Sequence, residues 1–176
     1  MFPIDATTHD GRPLLLRRAG AGDAEALIAA VDAVAREGAY FLRGHFAQPI
    51  EEEREFLARA EEQGRLVLLA EVEGRLAGWV TVSRFRQDFR RHCVELGIGV
   101  QAAWRGGGVG RALMEAAIAW AAAKGFERVE LGVRASNDRA RRLYERLGFV
   151  QEGVARRAVK DDRGHYDDSI SMALFL

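Results

Sequence analysis

The chain has 176 residues, of which 26 are basic and 26 acidic, and about half of the residues are apolar. This length suits a single globular domain, residues 1–176, and the composition excludes a disordered or fibrous protein. The balanced charge predicts binding neither to nucleic acid nor to an anionic membrane. The one cysteine, Cys93, excludes an internal disulfide, and no group of cysteines and histidines has zinc-site spacing.

No stretch of the chain approaches the roughly 20 apolar residues that a membrane-spanning helix needs. The first 20 residues lack the long apolar run of a signal peptide. We therefore expect a cytoplasmic protein that binds no membrane and no metal. Its composition leaves the oligomeric state open between a monomer and a homodimer.

The first half of the chain predicts one strand and two helices. Residues 14–18 form a short apolar run typical of a strand, and residues 26–34 repeat apolar side chains at helical spacing. Pro49 favours the start of a second helix, which has three glutamates in its first turn. Between the two helices, residues 38–48 form an aromatic loop.

The second half of the chain predicts six strands and two helices. Two apolar runs on either side of the turn Glu73-Gly74 predict a β-hairpin. The predicted elements are, in order, strands 66–72, 76–85 and 93–100, helix 109–123, strand 129–133, helix 137–147, and strands beginning at 149 and 166. With the first half, this order predicts an α/β fold with one mixed, mostly antiparallel sheet of about seven strands, flanked by about four helices. Residues 93–133 are expected to form a right-handed parallel crossover.

A glycine-rich loop, Arg105-Gly106-Gly107-Gly108-Val109-Gly110, joins a predicted strand to a predicted helix. Glycines leave backbone N–H groups unobstructed, and the helix start adds unpaired donors, so the loop is suited to phosphate oxygens. A nucleoside triphosphate loop would need a Lys-Ser/Thr pair next, whereas Arg111-Ala112 follows here. A tight turn without a ligand is the alternative interpretation.

The strand before the loop has an unusual face. Glu95, Gly97 and Gly99 alternate with apolar residues and therefore point the same way. Two glycines and a charge on one face of a buried strand favour close approach by a ligand. A solvent-facing side with a bulge is the alternative.

Two residues after the loop have either a structural or a binding role. Asn137 precedes the last predicted helix, where it is either an N-cap or an amide directed at a ligand. Tyr144 lies on the apolar stripe of that helix, where a core tyrosine is the simpler interpretation.

Taken together, these segments resemble the GNAT N-acetyltransferase superfamily. The similarity rests on Leu96-Gly97-Ile98-Gly99-Val100, on Trp104 to Gly110, on Asn137, and on Leu143-Tyr144-Glu145-Arg146-Leu147-Gly148-Phe149. The residues from Gly148 to Gly153, with Tyr166, Asp167 and Met172, are similar to the branch that contains protein N-terminal and small-amine acetyltransferases.

The resemblance implies that acetyl-CoA is the co-substrate. Arg105, Gly108 and Gly110 occupy the family positions whose backbone binds the pyrophosphate, and the strand near Ile98 and Val100 binds the pantetheine arm. Tyr144 would protonate the leaving thiolate. The residues expected to contact the coenzyme are Ile98, Gly99, Val100, Arg105, Gly106, Gly107, Gly108, Val109, Gly110, Arg111 and Asn137.

Attack by an amine needs a general base, because only the neutral amine is nucleophilic. Glu95 is the first candidate, and an ion pair with Arg90 or Arg91 is its alternative role. His92 is the second candidate, since an unperturbed imidazole titrates near neutral pH. Cys93 has no evident partner base, which favours direct transfer in a ternary complex over an acyl-cysteine intermediate.

The acceptor is expected to be a small-molecule amine or amino acid, or a protein N-terminus. The family places acceptor specificity on segments that correspond to residues 37–46 and 160–166. Tyr40, Phe41 and Phe46 either line the acceptor mouth or pack under the sheet, and the acidic final hairpin either attracts a cation or is simply solvated. Two other functions stay open: a non-catalytic acyl-CoA sensor with the same fold, and a nucleotide-binding protein.

Overall fold

The computed structural model describes residues 1–41 and 44–176. Within these residues the chain forms eight β-strands and four α-helices. In chain order the elements are β1 (Ile4–Thr7), β2 (Pro13–Arg18), α1 (Ala24–Arg36), α2 (Ile50–Arg59), β3 (Leu66–Val72), β4 (Arg75–Arg84), β5 (Cys93–Val100), α3 (Val109–Ala123), β6 (Arg128–Arg134), α4 (Asp138–Arg146), β7 (Val150–Lys160) and β8 (Tyr166–Phe175). Two residues of the predicted acceptor segment 37–46, Leu42 and Arg43, lie outside the described part of the chain.

The described strands form one sheet in the order β1-β2-β3-β4-β5-β6-β8-β7. Neighbouring strands are antiparallel except for β5 and β6, which are parallel. The expectation of a mixed, mostly antiparallel sheet is therefore confirmed. The strand count is eight rather than about seven because β1 pairs with β2, from Ile4↔Leu16 to Thr7↔Pro13. An edge strand of four residues has little local signal, since pairing with its neighbour is what stabilises it.

Helices cover both faces of the sheet. Along β3, Leu66 and Leu68 pack in one core with α3, whereas Val67 and Leu69 pack in a second core with α1 and α2. This alternation follows from the two-residue period of a strand. The helices α1 and α2 therefore lie on one face, and α3 lies on the other together with Tyr144 of α4.

The sheet opens between its two parallel strands. β5 and β6 pair over three positions only, the last being Glu95↔Glu130. β5 nevertheless continues to Val100 and β6 to Arg134. The carboxyl-terminal halves of the two strands are thus separated, which is where ligands commonly bind in sheets with parallel strands.

Candidate active site

The loop between β5 and α3 has a backbone that glycine adopts most easily. Gly106 and Gly108 have φ angles of +83° and +91°, in the left-handed region where a side chain is disfavoured. Gly108 immediately precedes α3, so the unpaired N–H groups of the first helical turn lie next to the loop. The loop therefore presents backbone donors and the positive end of a helix dipole, both of which suit phosphate oxygens.

His9, in the turn between β1 and β2, supports this loop. Its backbone N–H donates to the Gly107 carbonyl (2.9 Å), and its Nδ1 donates to the Gly106 carbonyl (3.2 Å). A Cβ atom on Gly108 would lie 2.8 Å from Nε2 of His9, so the ring occupies the space that a larger residue would need. Sequence reasoning missed His9, because 97 positions separate it from Gly106 and an isolated histidine forms no pattern.

A cavity of about 660 Å³ lies beside the glycine loop, and we call it the first cavity. Its volume is within the range of ligand pockets in proteins. The predicted residues that line it are Ile98, Gly99, Val100, Arg105, Gly106, Gly108, Gly110, Arg111, Asn137 and Tyr144. Two predicted residues are placed differently: the Gly107 carbonyl accepts from His9, and Val109 is buried in the core.

Arginines form the rim of the first cavity, and of these side chains at the rim only Arg111 was predicted from the sequence. Arg139, Arg142 and Arg146 of α4 all line the cavity, because spacings of three and four residues place them on one helix face. All three side chains are exposed. Their charges, with the fork geometry of guanidinium, favour a ligand that carries phosphate groups.

Asn137 and Tyr144 combine structural contacts with access to the first cavity. The Asn137 side-chain oxygen accepts from the Ala140 N–H (3.2 Å) and caps α4, which leaves its NH₂ group as a donor. Tyr144 is 6% exposed and packs against Phe149, with ring centroids 5.9 Å apart. Burial raises the pKa of Tyr144 to about 12. Its hydroxyl therefore keeps its proton at neutral pH.

A second cavity, of about 380 Å³, adjoins the first along β5. Residues of four strands and of the aromatic loop line it, namely Tyr40, Thr81, Ser83, Glu95, Leu96, Gly97, Gly132, Val133, Arg134 and Ser169. On β5, Gly97 lines the second cavity and the next residue, Ile98, lines the first. Tyr40 lines both cavities.

The two glycines of β5 have different surroundings. A Cβ on Gly97 would meet no atom within 4 Å, whereas a Cβ on Gly99 would lie 2.3 Å from the Trp79 ring. Glycine is thus required at position 99, because the indole of Trp79 packs across β5 there. Only Gly97 supports the prediction that these glycines admit a ligand.

The two candidate bases lie at different distances from the first cavity. Glu95 is exposed in the second cavity, roughly 10 Å along the strand from Ile98. Within the described part of the chain, its alternative ion pair is formed with neither Arg90 nor Arg91, and Arg90 pairs instead with Glu130 at 2.6 Å. His92 is exposed just before β5, roughly 20 Å from Ile98, and lines neither cavity. The structure therefore brings Glu95, but not His92, to the site.

Arg134, at the end of β6, braces the second cavity. It is buried, and it donates to the Asp167 carboxylate (3.1 Å) and to the Gly38 carbonyl (2.5 Å). The Ser136 hydroxyl donates to the same carboxylate oxygen (2.6 Å). Burial alone would raise the pKa of Asp167, but the hydrogen bonds from Ser136 and Arg134 outweigh it and lower that pKa. Asp167 thus belongs to a partly buried network with Arg134 rather than to a solvated acidic turn.

The residues of the aromatic loop were predicted either to line the acceptor mouth or to pack under the sheet, and they differ in which of these they do. Phe41 packs in the core with Trp79, with ring centroids 6.2 Å apart, and also lines the first cavity. The Phe46 N–H donates to the Asp32 carboxylate (2.8 Å), and Phe46 lines neither cavity. Tyr40 is the aromatic residue of this group that borders both spaces.

Three further features concern metal binding, membrane-spanning helices and the single cysteine. Within residues 1–41 and 44–176, no group of three or more His, Cys, Asp or Glu side chains is placed to hold a metal ion. None of the described helices is both long and apolar enough to cross a membrane. Cys93 is buried and lines neither cavity.

Comparison with known proteins agrees with this geometry. The sequence profile of the acetyltransferase (GNAT) family matches residues 25–149, which is most of the chain. The chain belongs to the GNAT acetyltransferase family. The resemblance seen in the sequence is therefore confirmed.

Relatives of known sequence or structure support this assignment. The L-amino acid N-acetyltransferase AaaT of Escherichia coli (strain K12) is 30% identical over 118 residues, 65% of this chain and 70% of that protein. A GNAT-family acetyltransferase from Streptococcus pneumoniae superposes with a TM-score of 0.85 and 32% identity, covering 93% of this chain and 99% of that chain. The protein yncA from Salmonella typhimurium, solved with its cofactor acetyl-CoA, has a TM-score of 0.83 and 24% identity, covering 93% and 94%. The GNAT-like fold is thus confirmed, and acetyl-CoA is the cofactor of a protein that shares it.

Proposed function

We propose that this protein is an N-acetyltransferase that moves the acetyl group of acetyl-CoA to a primary amine by direct attack in a ternary complex. The observation that carries the proposal is that two cavities adjoin along β5, where β5 and β6 separate. The first cavity has the features of a site for a ligand that carries several phosphate groups. The second cavity contains the carboxylate of Glu95. Such an arrangement holds two substrates side by side, so that transfer needs no acyl-enzyme.

The first cavity fits coenzyme A in its chemistry. The glycine loop supplies backbone N–H groups for a pyrophosphate, and the arginines of α4 supply charge at the mouth. Beyond Glu95, one edge of β5 is not paired with β6. Alternate N–H and C=O groups on that edge are available to an extended arm with amide groups, in the way that a neighbouring strand would use them.

Each proposed residue has one task in the reaction. Glu95, directly or through a water, takes a proton from the acceptor ammonium, and the neutral nitrogen then attacks the thioester carbonyl. A backbone N–H near Ile98 or Val100 stabilises the carbonyl oxygen as it gains charge, an effect of roughly 3 kcal/mol for one well-placed donor. The carbon–sulfur bond breaks, and Tyr144 donates its hydroxyl proton to the leaving thiolate. The second amine proton and the proton held by Glu95 leave to solvent, from which Tyr144 recovers its own.

The acceptor is a small-molecule amine or amino acid, or the amino terminus of a protein. A second cavity of about 380 Å³ is of a size suited to a small molecule, and a relative named for L-amino acids favours the same class. A cytoplasmic location, a monomeric or homodimeric state and the absence of nucleic-acid and membrane binding stay predictions from the sequence.

An acceptor screen tests this proposal. The protein is incubated with acetyl-CoA and a panel of amino acids, small amines and peptides with free N-termini. Mass spectrometry then detects the gain of one acetyl group, and a thiol reagent detects released coenzyme A. We expect turnover with at least one primary amine. Tight binding of acetyl-CoA without turnover across the panel would instead favour the acyl-CoA sensor.

A thermal shift experiment separates coenzyme A from nucleotides. We expect coenzyme A and acetyl-CoA to raise the melting temperature, because a ligand that binds the folded state stabilises it. ATP lacks the pantetheine arm and should stabilise the protein less. Stabilisation by ATP but not by coenzyme A would overturn the assignment of the first cavity.

A further inference from the structure

The contacts of the Arg105 side chain connect the two cavities, and what we infer from them rests on the proposed function. The residue immediately precedes the glycine loop, yet its side chain is only 15% exposed and contacts other elements. Its Nη1 and Nη2 donate to the two oxygens of Glu37, at 2.7 and 2.6 Å. Its Nε donates to the Val100 carbonyl (2.9 Å).

The guanidinium also contacts Tyr40. Its central carbon lies 4.6 Å from the centre of the Tyr40 ring, and Nη1 lies 3.3 Å from the hydroxyl oxygen. The bidentate bond to Glu37 matches the rigid fork of an arginine. These hydrogen bonds lower the pKa of Glu37 and raise that of Arg105, so both groups stay charged at neutral pH. We call Arg105, Glu37 and Tyr40 the Arg105 bridge.

Four of the five N–H donors of the Arg105 side chain already donate to protein groups: Nε to Val100, Nη1 to Glu37 and Tyr40, and Nη2 to Glu37. A phosphate that took the place of Glu37 would have to break a charge-assisted, partly buried pair, which is costly. The side chain is therefore better placed to hold Glu37 than to bind the pyrophosphate, a role that the family resemblance gives to the backbone at this position. The backbone of Arg105 lies directly beside the glycines of the loop.

At its end away from the glycine loop, the Arg105 bridge forms part of the wall between the two cavities. Glu37 directly follows α1, and Tyr40 lines both cavities. The same short segment is held from the other side, because Arg134 of the second cavity donates to the Gly38 carbonyl. The start of the aromatic loop is thus joined to the glycine loop by one arginine and to the second cavity by another.

We infer that Arg105 is a positioning residue, which ties the coenzyme loop to Tyr40 and thereby sets the shape of the acceptor cavity. Through this contact, occupation of the glycine loop orders the wall against which the acceptor binds. The side chain thus governs acceptor binding more than coenzyme binding.

The test compares Arg105→Gln, Glu37→Gln and the double variant. Each single variant should raise the KM for the acceptor roughly 10-fold, as expected for the loss of a charge-assisted contact. The Kd for acetyl-CoA, measured by calorimetry, should stay within about twofold. Since the two residues act together, the double variant should be no worse than either single one. Arg105→Lys, which keeps the charge but not the fork, should recover part of the acceptor affinity.

Arg36→Gln is the matched control. It removes an exposed ion pair with Asp32 on the last turn of α1, one residue before Glu37. Its KM for the acceptor should equal that of the wild type. A Kd for acetyl-CoA that rises in Arg105→Gln while the acceptor KM is unchanged would overturn the inference and show a phosphate ligand instead.

Hydrogen exchange tests the bridge without any turnover. Amides of residues 37–41 should exchange more slowly when coenzyme A is bound to the wild type, and this protection should be lost in Arg105→Gln. Equal protection in both proteins would contradict the bridge. Protection that depends on Arg105, together with no acetylation of any amine, would retain the bridge and reject the proposed enzymatic function.

Discussion

The two cavities differ in what builds them. The first combines backbone groups, from the left-handed glycines of the loop to the free edge of β5, with apolar and aromatic side chains and with arginines at its mouth. The second is built from carboxylate, guanidinium and hydroxyl side chains that come from four strands. Backbone donors suit a ligand shared by a whole family, whereas side chains can change with the acceptor. The proposed function therefore separates coenzyme recognition from acceptor recognition, and the two cavities meet at β5 and Tyr40.

The largest effect should come from Tyr144, the proposed acid of the first cavity. Tyr144→Phe should lower kcat by about 10²–10⁴-fold, because the leaving thiolate loses its proton donor. The Kd for acetyl-CoA should change little, since the ring remains. Steady-state kinetics and calorimetry measure the two effects. Phe175→Leu is the control, because Phe175 is an exposed aromatic residue outside both cavities; an equal loss in both variants would reject the role of Tyr144.

Glu95 tests the second cavity in the same way. Glu95→Gln should lower kcat/KM for the amine by roughly 10²-fold at neutral pH, and raising the pH should recover part of the rate by supplying neutral amine. A pH–rate profile checks both expectations. Glu130→Gln is the matched control, since Glu130 is the register partner of Glu95 but is paired with Arg90 and Arg128. If the two variants behave alike, a general negative charge rather than a base at Glu95 explains the effect.

The glycine loop should respond to a side chain through coenzyme binding. Gly108→Glu should weaken binding of acetyl-CoA by about tenfold or more, because a carboxylate would face phosphate groups and a Cβ would contact His9. Calorimetry measures the change. Gly125→Glu is the control: its φ is +77° and a Cβ there meets no atom within 4 Å, so it introduces similar backbone strain away from both cavities. An unchanged Kd in Gly108→Glu would remove the loop from the coenzyme site.

The smallest effect concerns the side-chain network of the second cavity. Asp167→Asn should lower the free energy of unfolding by about 1–3 kcal/mol at neutral pH, because Arg134 loses its charged partner. The folded state lowers the pKa of Asp167, so the pair stabilises the protein above the ordinary Asp pKa of about 4 and ceases to do so as the pH falls through the folded-state pKa. Urea denaturation from neutral to acidic pH should show the two proteins converging at low pH. Asp162→Asn, in the exposed turn before β8, should match the wild type throughout, and a difference between wild type and Asp167→Asn that persists at low pH would argue against the ion pair.

Much of the first cavity could be predicted from local sequence. Gly106 and Gly108 follow a strand and precede a helix, and the structure gives both a left-handed backbone. Asn137 and Tyr144 lie where helical periodicity places them. Each of these predictions depends on residues close together in the chain, where spacing alone determines direction.

The rest depended on contacts between distant parts of the chain. His9 reaches Gly106 across 97 positions, and Arg134 reaches Gly38 across 96. The alternation of β5 correctly grouped Gly97 with Gly99, but it could not show that the Trp79 ring rather than a ligand occupies the space at Gly99. It grouped Glu95, but not His92, with these glycines, yet it could not show which of the two candidate bases lines a cavity.

Most of the elements, the glycine loop and the family could thus be predicted from sequence, because periodicity and backbone preference are properties of neighbouring residues, whereas β1 depends on its pairing with β2. Only the tertiary structure decided that β5 and β6 separate after Glu95, that Tyr40 borders both cavities, and that the Arg105 side chain binds Glu37. Side-chain partners far apart in the chain are selected by packing of the whole sheet and its helices, and no local pattern encodes that choice.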